Sequence, residues 1–209
     1  KKHTYEAPEW LKEEGLDAYE YQAGNGITAS VPTFEKIGLE AKKHGIALSL
    51  HAPYFISLSG VEEKMRQNSI GYILKSEAAA RALGANIIVI HTGSAAKITR
   101  EEAMRLAADT MEKTLEALGD TPVKLGLETM GKINQLGTLD EVITLCRADS
   151  RLAPVVDFGH LNARDLGEAF KDKGDYMRVF EKIGIALGDD TAKNLHCHFS
   201  RSEEHTSEL

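Results

Sequence analysis

Short apolar runs alternate with amphipathic stretches six times along this chain, and that alternation leaves few folds open. Residues 16–22, 46–50, 86–90, 123–127, 154–156 and 194–199 read as strands. Between and before them, residues 8–14, 32–44, 62–83, 99–118, 139–146 and 175–187 read as helices. Pro32 suits a first helical turn, Gly45 and Gly84 suit helix ends, and Thr99 and Thr138 suit N-caps. The run 86–90 is apolar throughout, the mark of a strand buried on both faces. Each crossover is long enough to return the chain parallel to the previous strand. The class is therefore α/β, either an open doubly wound sheet or a (β/α)8 barrel.

The polar residues favour the barrel. Consecutive strands end in His51, His91, Glu128, Asp157 and His196. An open sheet gathers its ligand residues mainly at one switch point, whereas a barrel brings every strand end to one mouth. Six strands do not close an eight-stranded barrel, so an incomplete barrel over residues 1–200 is expected. In Asp157-Phe158-Gly159-His160 an apolar run stops at a carboxylate, and an imidazole follows three residues later. The pair suits a metal, and it equally suits a turn capped by Asp157. His196 and His198 share one face of the last strand.

One tetrahedral zinc cannot use three histidines, Glu128, Asp157 and His160 together, so more than one divalent cation is expected. Neighbouring metals of this kind hydrolyse phosphodiesters, one generating hydroxide and both steadying the attacking and leaving oxygens. Tyr54, three residues after His51, suits an ordinary loop aromatic and equally a residue that stacks on a nucleotide. Lys97, Arg100, Lys132 and Arg164 follow strand ends and are weaker candidates for phosphate contact. There is no glycine-rich phosphate fingerprint, no paired-cysteine zinc motif and no nucleophilic serine–histidine signature.

The net charge of −7 argues against a broad basic surface for nucleic acid. It leaves room for a nucleic-acid enzyme whose bound cations carry the positive field. No apolar run approaches the roughly 18 residues that span a bilayer, and no secretory leader is expected. Cys146 and Cys197 stand far apart and outside any paired motif, which fits a reducing cytoplasm.

Five stretches carry a resemblance. They are Ser49-Leu50-His51-Ala52-Pro53-Tyr54-Phe55-Ile56, Val89-Ile90-His91-Thr92-Gly93-Ser94, Leu127-Glu128-Thr129-Met130-Gly131-Lys132, Val156-Asp157-Phe158-Gly159-His160 and Leu195-His196-Cys197-His198-Phe199-Ser200. In this order they resemble the endonuclease IV (type 2 apurinic/apyrimidinic endonuclease) family of xylose-isomerase-like barrels. The resemblance implies three Zn2+, with Mn2+ in part. His51, His91 and Glu128 would hold the first; Glu128 would bridge to a second completed by Asp157 and His196; His160 would serve the third. It implies Glu128 as catalytic, Tyr54 as the aromatic inserted at the lesion, and His198 unassigned. It further implies a monomeric base-excision-repair enzyme that cuts double-stranded DNA 5′ to abasic sites.

Three features depart from the family. Its first strand would precede Lys1. Its acid–x–His pair and later Glu would follow Ser200. The loop Gly24-Asn25-Gly26 lacks the basic residue often found there. Residues 201–209 resemble a translated sequencing adapter, so the chain reads as an inactive fragment with a non-native tail, and His205 is not taken as a ligand. Two other functions fit the residues: a sugar isomerase or epimerase using one metal on Glu128, Asp157 and His196, or a metal-binding barrel remnant without turnover.

Overall fold

The computed structural model describes residues 3–199. The expected non-native tail, residues 201–209 with His205, lies outside the described residues, as does Ser200. Among the described residues six strands run parallel in the order β1-β2-β3-β4-β5-β6. They are β1 (Ala18–Gln22), β2 (Ala47–His51), β3 (Ile87–His91), β4 (Lys124–Glu128), β5 (Leu152–Asp157) and β6 (His196–His198). The strands curl into a part-barrel with two strands fewer than a closed (β/α)8 barrel.

Helices α1 (Ala7–Glu13), α2 (Val31–His44), α3 (Glu63–Leu83), α4 (Arg100–Leu118), α5 (Leu139–Cys146) and α7 (Lys173–Leu187) lie near their expected places. Caps explain several of their starts. Thr99 Oγ1 accepts from Glu102 N at 3.2 Å, and Thr138 forms a capping box with Glu141. Asp172 caps α7 two residues earlier than the sequence suggested, its Oδ1 accepting from Gly174 N at 2.7 Å. Two short helices were not foreseen: α6 (Phe158–Arg164), which follows β5 without a break, and α8 (Asp189–Lys193), which shortens the last strand.

Strand alternation divides the core between the two sheet faces. Leu50, Ile88, Ile90, Leu125 and Leu127 are fully buried within the large cluster that the strands share with α2, α3 and α4, and Val156 lies in a smaller one with Phe158, Val179 and Ile183. Ile87, Val89 and Val155 form a third cluster on the opposite sheet face, the barrel lumen. Gly126 belongs to the same face. A Cβ there would meet Val155 Cγ2 at 2.6 Å and Ile87 Cδ1 at 2.9 Å, so the lumen is closed by the lack of a side chain. Both faces being buried is why these strands read as apolar runs.

Candidate metal centre

Parallel strands deliver their C-terminal residues to one mouth. β2 ends in His51, β3 in His91, β4 in Glu128, β5 in Asp157 and β6 in His198. Glu128 is 1% exposed, and His51 and Asp157 are also buried. With Glu20, Gln22, Tyr54, Met130, Lys132, Gln135 and His160 they line a cavity of about 540 Å³.

Asp157 fills both roles read from the sequence. Its Oδ1 caps α6 by accepting from His160 N at 2.8 Å. Its Oδ2 faces His160 Nδ1 at 3.7 Å and His198 Nδ1 at 4.0 Å. The cap also explains the spacing: it sets His160 in the first turn of α6, on the rim of the cavity.

Ring nitrogens are committed in a useful way. His51 Nδ1 lies 2.9 Å from the Ala52 carbonyl, and His160 Nδ1 lies 2.9 Å from the Thr129 carbonyl. A carbonyl only accepts, so the hydrogen-bond network assigns the proton to each Nδ1 and leaves each Nε2 of the neutral ring a lone pair. His51 Nε2 stands 3.5 Å from Glu128 Oε2, and His91 Nε2 stands 3.1 Å from the same oxygen. That oxygen is buried and takes no hydrogen bond. Ligand atoms of the three residues all lie within 4.8 Å of one another, close enough for one cation to satisfy all three. This donor set of two imidazoles and a carboxylate fits a zinc-like divalent ion.

The electrostatics agree. Burial pushes the Glu128 carboxyl upward, but the imidazoles of His198, His51 and His91 outweigh burial and hold it well below the usual carboxylate range. Burial lowers His198, yet Glu128 and Glu20 raise it to about 10. Burial also opposes the rise of His51, which Glu128 and the Ala52 carbonyl bring about. The carboxylates of the mouth thus favour positive charge beside them.

The structure differs from the sequence reading over which histidine of β6 reaches the mouth. His198 Nδ1 lies 2.6 Å from Glu128 Oε1, and His198 with Glu128 and Asp157 forms a second group able to hold a cation. His196 pairs with Val155, one inward position deeper, whereas His198 pairs with Asp157. His196 Nε2 instead meets Glu20 Oε2 at 3.0 Å. Glu20 is a residue that sequence reasoning missed. The available signal was its phase: Tyr19 and Tyr21 pack on the helix-side core, so Glu20 takes the lumen face with Gln22.

Two arginines are not at the mouth as phosphate contacts. Arg164 donates to the carbonyls of Met130, Lys132, Ile133 and Gln135 at 2.8–3.1 Å. Arg100 donates to Ile133 and Gln135 carbonyls and pairs with Glu141 at 2.7 Å. Together they clamp the loop after β4. Lys97 is exposed and lines no part of the cavity, while Lys132 does line it. Tyr54 is 56% exposed at the rim, with its hydroxyl donating to Gln22 Oε1 at 3.2 Å and its ring centroid 5.1 Å from that of His51. A Cβ on Gly24 would lie 2.3 Å from Tyr54 Cε2, so that glycine lets the ring lie on the loop.

The family model of the xylose isomerase-like TIM barrels matches residues 8–207. The chain belongs to that family. Within it, an uncharacterized protein of Methanocaldococcus jannaschii is 30% identical over 203 residues, covering 95% of this chain and 72% of the relative. A probable endonuclease 4 of Acholeplasma laidlawii is 27% identical, covering 90% of this chain and 69% of the relative. Solved structures share the fold. Endonuclease IV from Thermus thermophilus superposes with a TM-score of 0.67 at 23% identity, covering 90% of this chain and 68% of that one. D-psicose 3-epimerase from Clostridium cellulolyticum superposes with a TM-score of 0.72 at 14% identity, covering 95% and 79%. No helix among the described residues is long and apolar enough to cross a membrane.

Proposed function

We propose that the chain carries the metal-binding half of an endonuclease IV-like enzyme that hydrolyses the DNA phosphodiester 5′ to an abasic site. The observation that supports it is the gathering of His51 Nε2 and His91 Nε2 at 3.5 and 3.1 Å from the unbonded Glu128 Oε2. An enzyme needing a single cation on Glu128, Asp157 and His198 has no use for two further histidines there. The relatives that carry the name endonuclease 4 support the same reading.

In this reading His51, His91 and Glu128 would hold one cation, and Glu128, Asp157 and His198 a second. His160, with its Nε2 lone pair free of the Thr129 bond, would serve a third. Zinc ions there would supply Lewis acidity and, at neutral pH, an activated water. The chain's own residues do the rest. The Ala52 and Thr129 carbonyls fix the tautomers of His51 and His160. Tyr54 shields His51 and His91 from one side and offers a face for an unstacked nucleotide. Lys132 places positive charge on the cavity wall, where phosphate would lie.

The Glu128–Asp157–His198 group by itself favours a second reading, a one-metal sugar epimerase. Both readings meet in one experiment. The complete gene product, loaded with zinc, is given a duplex with one abasic site and, separately, a ketohexose. Nicking 5′ to the lesion that leaves a 3′-hydroxyl, near three zinc ions per chain, and loss of nicking in Glu128→Gln are expected. Epimerisation with one metal and no nicking supports the second reading, and undiminished nicking by Glu128→Gln would sink the role of Glu128.

A further inference from the structure

We infer that Glu20 is a positioning residue for the metal centre: it stands behind His198 and turns that ring's Nδ1 toward Glu128 and Asp157. The inference rests on the reading of His198 as a cation-holding residue. Glu20 comes from β1, a strand that contributes none of the sequence-read candidates, and it faces the lumen opposite Ser49 in the β1–β2 register. Its carboxylate is held on one oxygen and free to act on the other. Oε2 accepts from Ser49 Oγ at 2.8 Å and from His196 Nε2 at 3.0 Å. Oε1 lies 3.0 Å from His198 Nε2. His198 Nδ1 lies 2.6 Å from Glu128 Oε1 on the other side of the ring.

The imidazole is thus sandwiched between two carboxylates, and in the neutral ring only one nitrogen keeps a proton. Glu20 is anchored by two donors, and the one group of possible ligands it joins among the described residues is with the two histidines of β6. Glu128 and Asp157 bring two carboxylates and an opening to the cavity. The cation therefore belongs on the Nδ1 side, and the proton on Nε2, donated to Glu20. A carboxylate behind a ligating histidine fixes its tautomer and raises its basicity, and such partners are worth roughly 10–100-fold in metal affinity. His196 is then the residue that aims Glu20, one step further back. The contact of Nε2 with Oε1 is bent, since Nε2 makes no aligned hydrogen bond in this structure; the inference requires that contact to straighten when Nδ1 takes a cation.

The test is zinc titration of the 209-residue chain with 15N-labelled histidine, the His198 ring signals being assigned by their loss in H198N. In E20Q, zinc affinity at the Glu128–Asp157–His198 group falls about 10–100-fold while affinity at His51–His91–Glu128 holds, and the protected Nε2–H signal of His198 is lost or shifted. H196Q, which loosens the anchor without touching Glu20, gives a smaller loss in the same direction and serves if E20Q does not fold. Unchanged affinity and ring signals in both variants overturn the inference. So does a wild-type chain that binds one zinc more than H196Q, because Glu20 and His196 would then hold a cation themselves. If the wild type takes up no zinc, the metal reading above fails on its own. The His198 ring signals of wild type and E20Q, compared without metal, still decide whether Glu20 orients the ring.

Discussion

Glu128 Oε2 and His91 Nε2 stand 3.1 Å apart at the mouth of the part-barrel, and no hydrogen bond joins them. A buried carboxylate oxygen left unbonded beside an imidazole is costly unless a cation completes the set. The same oxygen meets His51 at 3.5 Å, and the other oxygen of Glu128 meets His198 at 2.6 Å. Three strands other than its own therefore converge on one side chain, and its place at the end of β4 makes it the hub of the mouth.

The metal-free chain should be most stable in mildly acid solution. His198 is raised to about 10, above its unfolded value near 6.5, so its contribution is complete below about pH 6.5 and is lost as pH rises through about 10. Glu128 and Glu20 are depressed below their ordinary values, so their contribution is present above roughly pH 4.5 and is lost as pH falls. Thermal melts of metal-stripped protein from about pH 3 to 10 should peak between these limits. Zinc shifts the maximum to higher pH, because the metal requires deprotonated imidazoles. A melting temperature that climbs steadily to about pH 9 without metal contradicts this.

Arg164 acts as a clamp and not as a phosphate contact. Its four bonds to loop carbonyls would all be lost in Arg164→Ala; Arg100 still serves the Ile133 and Gln135 carbonyls and Gln135 N the Lys132 carbonyl, so the part-buried Met130 carbonyl is the one left without its donor, at a cost of about 1–3 kcal/mol. Arg164→Lys keeps the charge but cannot span four carbonyls. Denaturant unfolding should therefore rank the lysine variant close to the alanine one. A lysine variant as stable as wild type would show that charge alone matters.

The lumen tolerates no side chain at position 126. Gly126→Ala places its Cβ against Val155, Ile87 and the backbone oxygen of Ile88, the last at 3.0 Å. Overpacking of this kind costs about 1–3 kcal/mol. Gly71 offers the contrast, since its Cβ would meet nothing within 4 Å and it lies inside α3, where alanine favours the helix. Chemical denaturation should show opposite signs for Gly126→Ala and Gly71→Ala.

The two thiols differ in the folded chain. Burial pushes Cys146 up to about 12, whereas Cys197 is exposed. At about pH 8 a disulfide-exchange reagent should label Cys146 only as fast as the protein unfolds, and Cys197 without unfolding. Rapid labelling of Cys146 in native buffer would mean that the α5 end opens.

Much of this is legible in the residues themselves. The strand–helix alternation sets a parallel sheet, because each crossover is long enough and each apolar run short enough for nothing else. The polar strand ends His51, His91, Glu128 and Asp157 fall on the mouth because a parallel sheet sends all its C-terminal ends one way. Local chemistry is readable too: the threonine caps depend on side-chain bonds within three residues.

Tertiary structure alone decided the rest, for reasons of register and distance. Whether His196 or His198 reaches Glu128 depends on how β6 slides against β5, and a slide of two residues leaves the alternation of the strand unchanged. Glu20 and His196 are 176 residues apart in sequence, and their meeting exists only because the sheet curls until its first and last strands face each other across the lumen. Arg164 and Arg100 look like cations available to a ligand until the loop after β4 folds back and offers them its carbonyls. The sequence determines which residue types lie near the mouth; the curl and register of the sheet determine which atoms share a partner.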